Sequence, residues 1–213
     1  TTPSAASSRT VTVIAATAPS ITLEGEANVP LECGTPYVDP GATANDLCSG
    51  DLTAGIVRTG TVDHLTPDSY PLAYTVTDSA GLTATTQRTV TVSDTLAPTL
   101  MLNGTTPQIV ECGSMYLDPG ATATDVCAGD LTAAVTREGT VDPSVEGDYT
   151  VTYSVQDPAG NTTLPVSRTV TVDDTLGPTI EVLGPLNQQH ECGSGPYQDP
   201  GATAEDACYR DLL

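Results

Sequence analysis

Six cysteines and a recurring set of aspartates are the residues of this chain best suited to chemistry. The cysteines come in twos, Cys33 with Cys48, Cys112 with Cys127 and Cys192 with Cys208, spaced by 15, 15 and 16 positions. Zinc would want four ligands per site, and the histidines His64 and His190 stand at unrelated places, so disulfide formation is the expected use. Each second cysteine sits in an acidic loop: "YVDPGATANDLCSGDLT" at 37–53, "YLDPGATATDVCAGDLT" at 116–132 and "YQDPGATAEDACYRDLL" at 197–213. Asp39, Asp46 and Asp51, repeated as Asp118, Asp125 and Asp130, offer oxygen ligands of the kind calcium takes six to eight of. The linkers "VSDTLAP" and "VDDTLGP" add Asp94, Asp173 and Asp174. A plainer reading has the same aspartates forming turns and capping backbone amides, and both readings stay open. An EF-hand is excluded, because "DLCSGD" lacks the alternating oxygen positions and no Glu stands twelve residues in.

The loops belong to a larger period. Cys33, Cys112 and Cys192 lie 79 and 80 residues apart, which is one small domain per step. Copies are expected at 19–94 and 95–174, with the last strand of a copy plus linker at 1–18 and the first half of another at 175–213. The two end pieces, 18 and 39 residues, fall 22 short of a 79-residue repeat. They are therefore expected to be parts of a longer array, with polymerisation into a filament as the alternative.

The elements that position the loops are strands. Tyr70, Leu72, Tyr74 and Val76 alternate with small or polar residues, as do Tyr149, Val151, Tyr153 and Val155, which predicts one buried face per strand. "DSAG" and "DPAG" place Gly81 and Gly160 in turns that call for a left-handed backbone. The Asn103–Gly104 and Asn161–Thr162–Thr163 stretches fit the glycosylation sequon and read first as turns. The expected fold is all-β: tandem immunoglobulin-like β-sandwich domains of about 80 residues, each with around seven strands. A repeat this small buries only about 60% of its unfolded surface, so one intradomain disulfide per copy is expected, worth about 3 kcal/mol for a loop of this length. Such bonds place the chain outside the cytoplasm.

Arg9, Arg88 and Arg168 precede the closing "TVTV" segments, on the parity of Val90 and Val92 or Val170 and Val172. An inward charge needs a partner, and Glu32 and Glu111, beside the first cysteines, are expected to pair with Arg88 and Arg168. A bulge turning the arginine outward is the alternative.

Composition narrows the function. With 27 acidic residues, 6 basic ones and a formal charge of −21, nucleic acid is an unsuitable partner. No apolar run approaches the roughly 18 residues of a membrane span. All basic residues are arginine, which excludes Lys–Asn isopeptide crosslinks. No nucleophile–base constellation stands out, so no catalytic residue is assigned.

The ordered set "Y.DPGATA.D…GDLT…YTVTY.V.D.AGN…RTVTV" resembles the bacterial surface immunoglobulin-like repeat, also found in pesticidal crystal proteins, and is more distantly similar to the hyalin repeat. The resemblance covers essentially the whole chain. It implies an extracellular β-sandwich used in tandem in adhesins, stalks and secreted enzymes, and no activity. The family often lacks the cysteine pair, and "CYRDLL" departs from "GDLT". The expected role is a non-catalytic spacer or stalk on a cell surface, whose partners are neighbouring repeats. The alternatives are a filament contacting other copies, or a carbohydrate- or protein-binding module using Tyr37, Tyr116 and Tyr197.

Overall fold

The computed structural model describes residues 8–12 and 17–208. The chain divides into two compact units, Thr1–Thr95 and Leu96–Leu213.

Among the described residues the first unit holds seven strands: β1 (Ser20–Leu23), β2 (Asn28–Glu32), β3 (Ala42–Asp46), β4 (Gly50–Asp51), β5 (Val57–Thr59), β6 (Asp68–Thr77) and β7 (Thr83–Ser93). They form two sheets, β1-β3-β4 and β2-β7-β6-β5. The pairs are antiparallel except β2 with β7, which run parallel. The long β6–β7 hairpin follows the alternation of its sequence. Leu72, Tyr74, Val76, Val90 and Val92 are buried, while Thr75 and Thr85 link hydroxyls at 3.1 Å on the outer face. Ile21, Leu23 and Ala42 of the other sheet pack on Leu72, Tyr74 and Val90, which makes a sandwich. Each fully buried Val or Leu contributes about 1.5–3 kcal/mol.

The second unit repeats this plan with β8 (Thr99–Leu102), β9 (Gln108–Glu111), β10 (Ala121–Asp125), β11 (Gly129–Asp130), β12 (Thr136–Glu138), β13 (Gly147–Ser154) and β14 (Val166–Asp173). The sheets are β11-β10-β8 and β12-β13-β14-β9, again with a parallel β14–β9 pair. Val110, Cys112, Ala121, Val151, Tyr153, Val170 and Val172 form its core. A further antiparallel pair, β15 (Thr179–Val182) with β16 (Ala202–Glu205), begins the next copy as β1 with β3 does the first. Gly81 and Gly160 have φ of 86° and 97°, the left-handed turns expected of them.

Strand direction gives every copy two distinct ends. In the second unit β9 and β14 run parallel and finish together, Glu111 opposite Asp173, so Cys112 lies where the chain leaves the sandwich. The β10–β11 turn that carries Cys127 lies instead beside the start of β8, with Thr124 opposite Thr99. The two cysteines of one copy therefore sit at opposite ends, Cys112 trailing and Cys127 leading. Cys112 is bonded to Cys208, 96 residues on, with a Cα–Cα distance of 5.6 Å. This corrects the expected Cys112–Cys127 and Cys192–Cys208 closures. Cys33 and Cys127 are also disulfide-bonded, whereas Cys48 and Cys192 are free and exposed, so Cys33–Cys48 is not formed either.

Candidate functional site

A buried charge network surrounds Arg88 in the first unit. β7 alternation sends its side chain inward, where it is fully buried. Its Nε donates to the Glu26 carbonyl at 2.9 Å. One terminal nitrogen donates to Asp39 Oδ1 and to the hydroxyls of Tyr74 at 3.1 Å and Tyr37 at 3.4 Å. The other donates to the carbonyls of Glu24 and of Gly41, the latter at 3.2 Å. The guanidinium carbon also lies 5.6 Å from the Tyr74 ring centroid, within cation–π range.

The Asp39–Pro40–Gly41 turn presents the counter-charge. Gly41, at φ 93°, sends its amide to Asp39 Oδ1 at 3.1 Å while its carbonyl faces Arg88, a backbone path that favours glycine. Asp39 Oδ1 also accepts from the Tyr74 hydroxyl at 2.6 Å, and Oδ2 from Arg58 Nη1 at 3.1 Å. Burial opposes ionisation of Asp39, but the Tyr74 hydroxyl, the Gly41 amide, Arg58 and Arg88 outweigh it and hold the carboxyl below its ordinary range. Burial, then Asp39, pushes the Tyr74 hydroxyl up to about 12.

The second copy rebuilds the cluster with changes. Arg168 is fully buried, 3.5 Å from Asp118 Oδ1, and donates to the carbonyls of Asn103 and of Gly120, the latter at 3.2 Å. Gln108 Oε1 accepts from it at 3.3 Å. Asp118 also accepts from Tyr153 at 2.5 Å and Arg137 Nε at 2.6 Å. Arg168 Nε has no partner, where Arg88 Nε finds a carbonyl.

Neither arginine pairs with the expected glutamate. The parallel β2–β7 register sets Glu32 opposite Ser93, five residues along β7 from Arg88. Its carboxylate accepts instead from the Thr95 amide at 3.0 Å and hydroxyl at 2.6 Å. Glu111 caps the following linker likewise, accepting from the Thr175 and Leu176 amides at 3.0 and 3.2 Å. The sequence signal for the true partner was the Asp of every "DPG", recurring in step with the arginines.

Other aspartates cap backbone. Asp46 Oδ1 accepts from the Cys48 and Ser49 amides at 2.9 and 2.7 Å. Asp125 does so from Cys127 and Ala128, both at 2.8 Å. Asp51 and Asp130 each accept a threonine amide at 2.9 Å, from Thr53 and Thr132. Asn103 donates its side-chain amide to the Pro119 carbonyl at 3.2 Å, and Asn161 to Asp157 at 2.8 Å, so both sequon asparagines serve turns. Asp94 is half-buried and Asp173 exposed; Asp173 offers its carbonyl to the Cys112 amide at 3.0 Å.

The trailing end of the second copy gathers the remaining acids around the Cys112–Cys208 bond. Asp174 donates its amide to Glu146 Oε1 at 3.3 Å. Burial, then the nearby Asp206, Glu111 and Glu146 carboxylates, raises its pKa. Asp206 caps the Cys208 amide at 2.9 Å. Cys208 Sγ lies 3.8 Å from the Ser144 carbonyl oxygen, and a Cβ on Gly113 would meet Ala207.

The chain is similar to several known proteins. A family model described as "Bacterial surface protein, Ig-like domain" matches residues 21–92 and 100–172. Hyalin of Strongylocentrotus purpuratus is 33% identical over 218 residues, covering 91% of this chain; the chain spans 17% of hyalin's length. Among solved structures, the lipoprotein BT2262 from Bacteroides thetaiotaomicron is 18% identical with a TM-score of 0.34, over 70% of this chain and 99% of that one. Fibronectin(III)-like modules of Clostridium thermocellum CbhA are 14% identical with a TM-score of 0.29, over 80% of this chain and 100% of theirs.

Proposed function

The chain belongs to the bacterial surface protein Ig-like domain family, and from that premise we propose that it serves as a non-catalytic spacer, holding another part of its protein away from the cell. Domains of this family lie outside the cell or on its surface and are in general non-catalytic. No helix among the described residues is long and apolar enough to cross a membrane. The observation that carries the spacer reading is the Cys112–Cys208 bond, which ties the trailing end of one copy to the leading end of the next. With Glu111 capping the linker amides, it limits the freedom a short connection would otherwise have. Such a device suits a part that keeps its length under load. Small-angle scattering tests this: the maximum dimension should stay constant when the protein is oxidised and broaden on reduction. A dimension indifferent to reductant would oppose the reading.

A second reading concerns calcium. Asp39 and Asp118 are ion-paired with arginines, which leaves them little charge to offer a cation. Asp206, Glu111 and Glu146 raise the pKa of Asp174 at the trailing end of the second copy, and such a concentration of negative charge attracts a hard cation. A cation there would relieve their mutual repulsion and stiffen the same junction.

A further inference from the structure

Every copy carries one cysteine at each end, and the structure uses them by kind. The trailing kind follows a glutamate: Cys33 after Glu32, Cys112 after Glu111 and Cys192 after Glu191. The leading kind stands two residues after an aspartate: Cys48 after Asp46, Cys127 after Asp125 and Cys208 after Asp206. The resolved bond joins trailing Cys112 to leading Cys208. Trailing Cys33 and leading Cys127 are each disulfide-bonded as well, whereas one cysteine of each kind, Cys48 and Cys192, is free and exposed.

Each free cysteine shares a local turn with its bonded counterparts. The Cys48 amide donates to Asp46 at 2.9 Å, as Cys127 does to Asp125 at 2.8 Å and Cys208 to Asp206 at 2.9 Å. The turn at Cys192 is closed by Ser194 donating to the Glu191 carbonyl at 3.1 Å, as Ser114 does to Glu111 at 3.0 Å. The local backbone is thus turned as it is where the bond exists, and Cys48 and Cys192 differ in being free and exposed.

We infer that Cys48 and Cys192 are the two open halves of the same staple, each an attachment site for another repeat of this kind. Cys48 takes a trailing cysteine and Cys192 a leading one. Each bond forms as two thiols give up two electrons and two protons to a low-molecular-weight disulfide such as oxidised glutathione. A mixed disulfide forms first; attack by the second thiol releases the second glutathione, so one S–S bond forms as one breaks. The attached repeat comes either from adjoining sequence of the same polypeptide or from a second copy. The chemistry is shared and the location of the bond differs. This goes beyond the spacer reading, which concerns length and survives if the thiols prove idle.

The test is a disulfide map of the protein isolated from its own cells without reductant, with free thiols blocked by iodoacetamide. The Cys112–Cys208 peptide serves as the internal check that oxidised bonds survived isolation. Cys48 should escape alkylation and appear linked to a peptide with a Glu–Cys pair, and Cys192 linked to one with Asp two residues before Cys. A non-reducing gel separates the sources: a single-chain mass means an adjoining repeat, and a multiple of it a second copy. Alkylated or glutathione-capped Cys48 or Cys192, or Cys48–Cys48 and Cys192–Cys192 links, would overturn the inference.

Discussion

Asp39 meets Arg88 across the core of the first unit, 49 residues apart in sequence, joining the turn before β3 to strand β7. The guanidinium is fully buried and the carboxylate nearly so, with side-chain exposures of 0% and 11%. Removing one partner of a buried pair leaves the other's charge uncompensated, at a cost of about 3–5 kcal/mol. Asp39→Ala should therefore lower the unfolding free energy of that unit by about this much in urea titration. Glu32→Ala, which removes an exposed linker cap, should cost about 1 kcal/mol. Equal losses would assign the ion pair to the glutamate after all.

Protonation should reproduce the first effect. The folded pKa values of Asp39 and Asp118 are depressed, so their contribution is present above the unfolded carboxyl value of about 3.9. It is lost as pH falls through the lower folded values. Tyr74 and Tyr153 are raised to about 12, so their contribution is complete below the unfolded value of about 10 and fades as pH rises through the folded one. Tyrosinate absorbance should show two of the eight tyrosines titrating last. Eight coincident titrations would contradict the network.

Calcium is expected to act near Asp174, where the nearby carboxylates raise its pKa. Thermal unfolding should shift upward in millimolar calcium, and Asp174→Asn with Asp206→Asn should remove that shift, since a ligand stabilises only the state that binds it. Asp46→Asn should keep it, because Asp46 is occupied with the Cys48 and Ser49 amides. A parent protein indifferent to calcium ends the cation reading and leaves the capping roles intact.

The sequence disclosed faces better than neighbours. Period-two alternation placed Arg88 and Arg168 on the inward face with Val90 and Val170, because side chains on a strand change sides at every residue. It did not show that β2 lies parallel to β7, since alternation carries no information about which strands pair or in what direction. That missing parallel pair is why Glu32 looked close to Arg88. It is also why cysteines 15 positions apart looked able to meet, when strand direction carries them to opposite ends of the sandwich. The caps at Asp46 and Asp51 were legible because they bond residues two or three positions away. The Asp39 pair was not, because its partner stands on the facing sheet.

Single-molecule stretching between the chain termini tests the staple most directly. In a Cys33→Ser/Cys127→Ser background, Cys112–Cys208 remains and shields the 96 residues it spans from extension. Adding reductant should lengthen the fully extended chain by roughly 320–350 Å, at about 3.3–3.6 Å per residue. A gain of only about 50 Å, the length of a 16-residue Cys192–Cys208 loop on the same scale, or no gain at all, would show that the copies are not tied end to end.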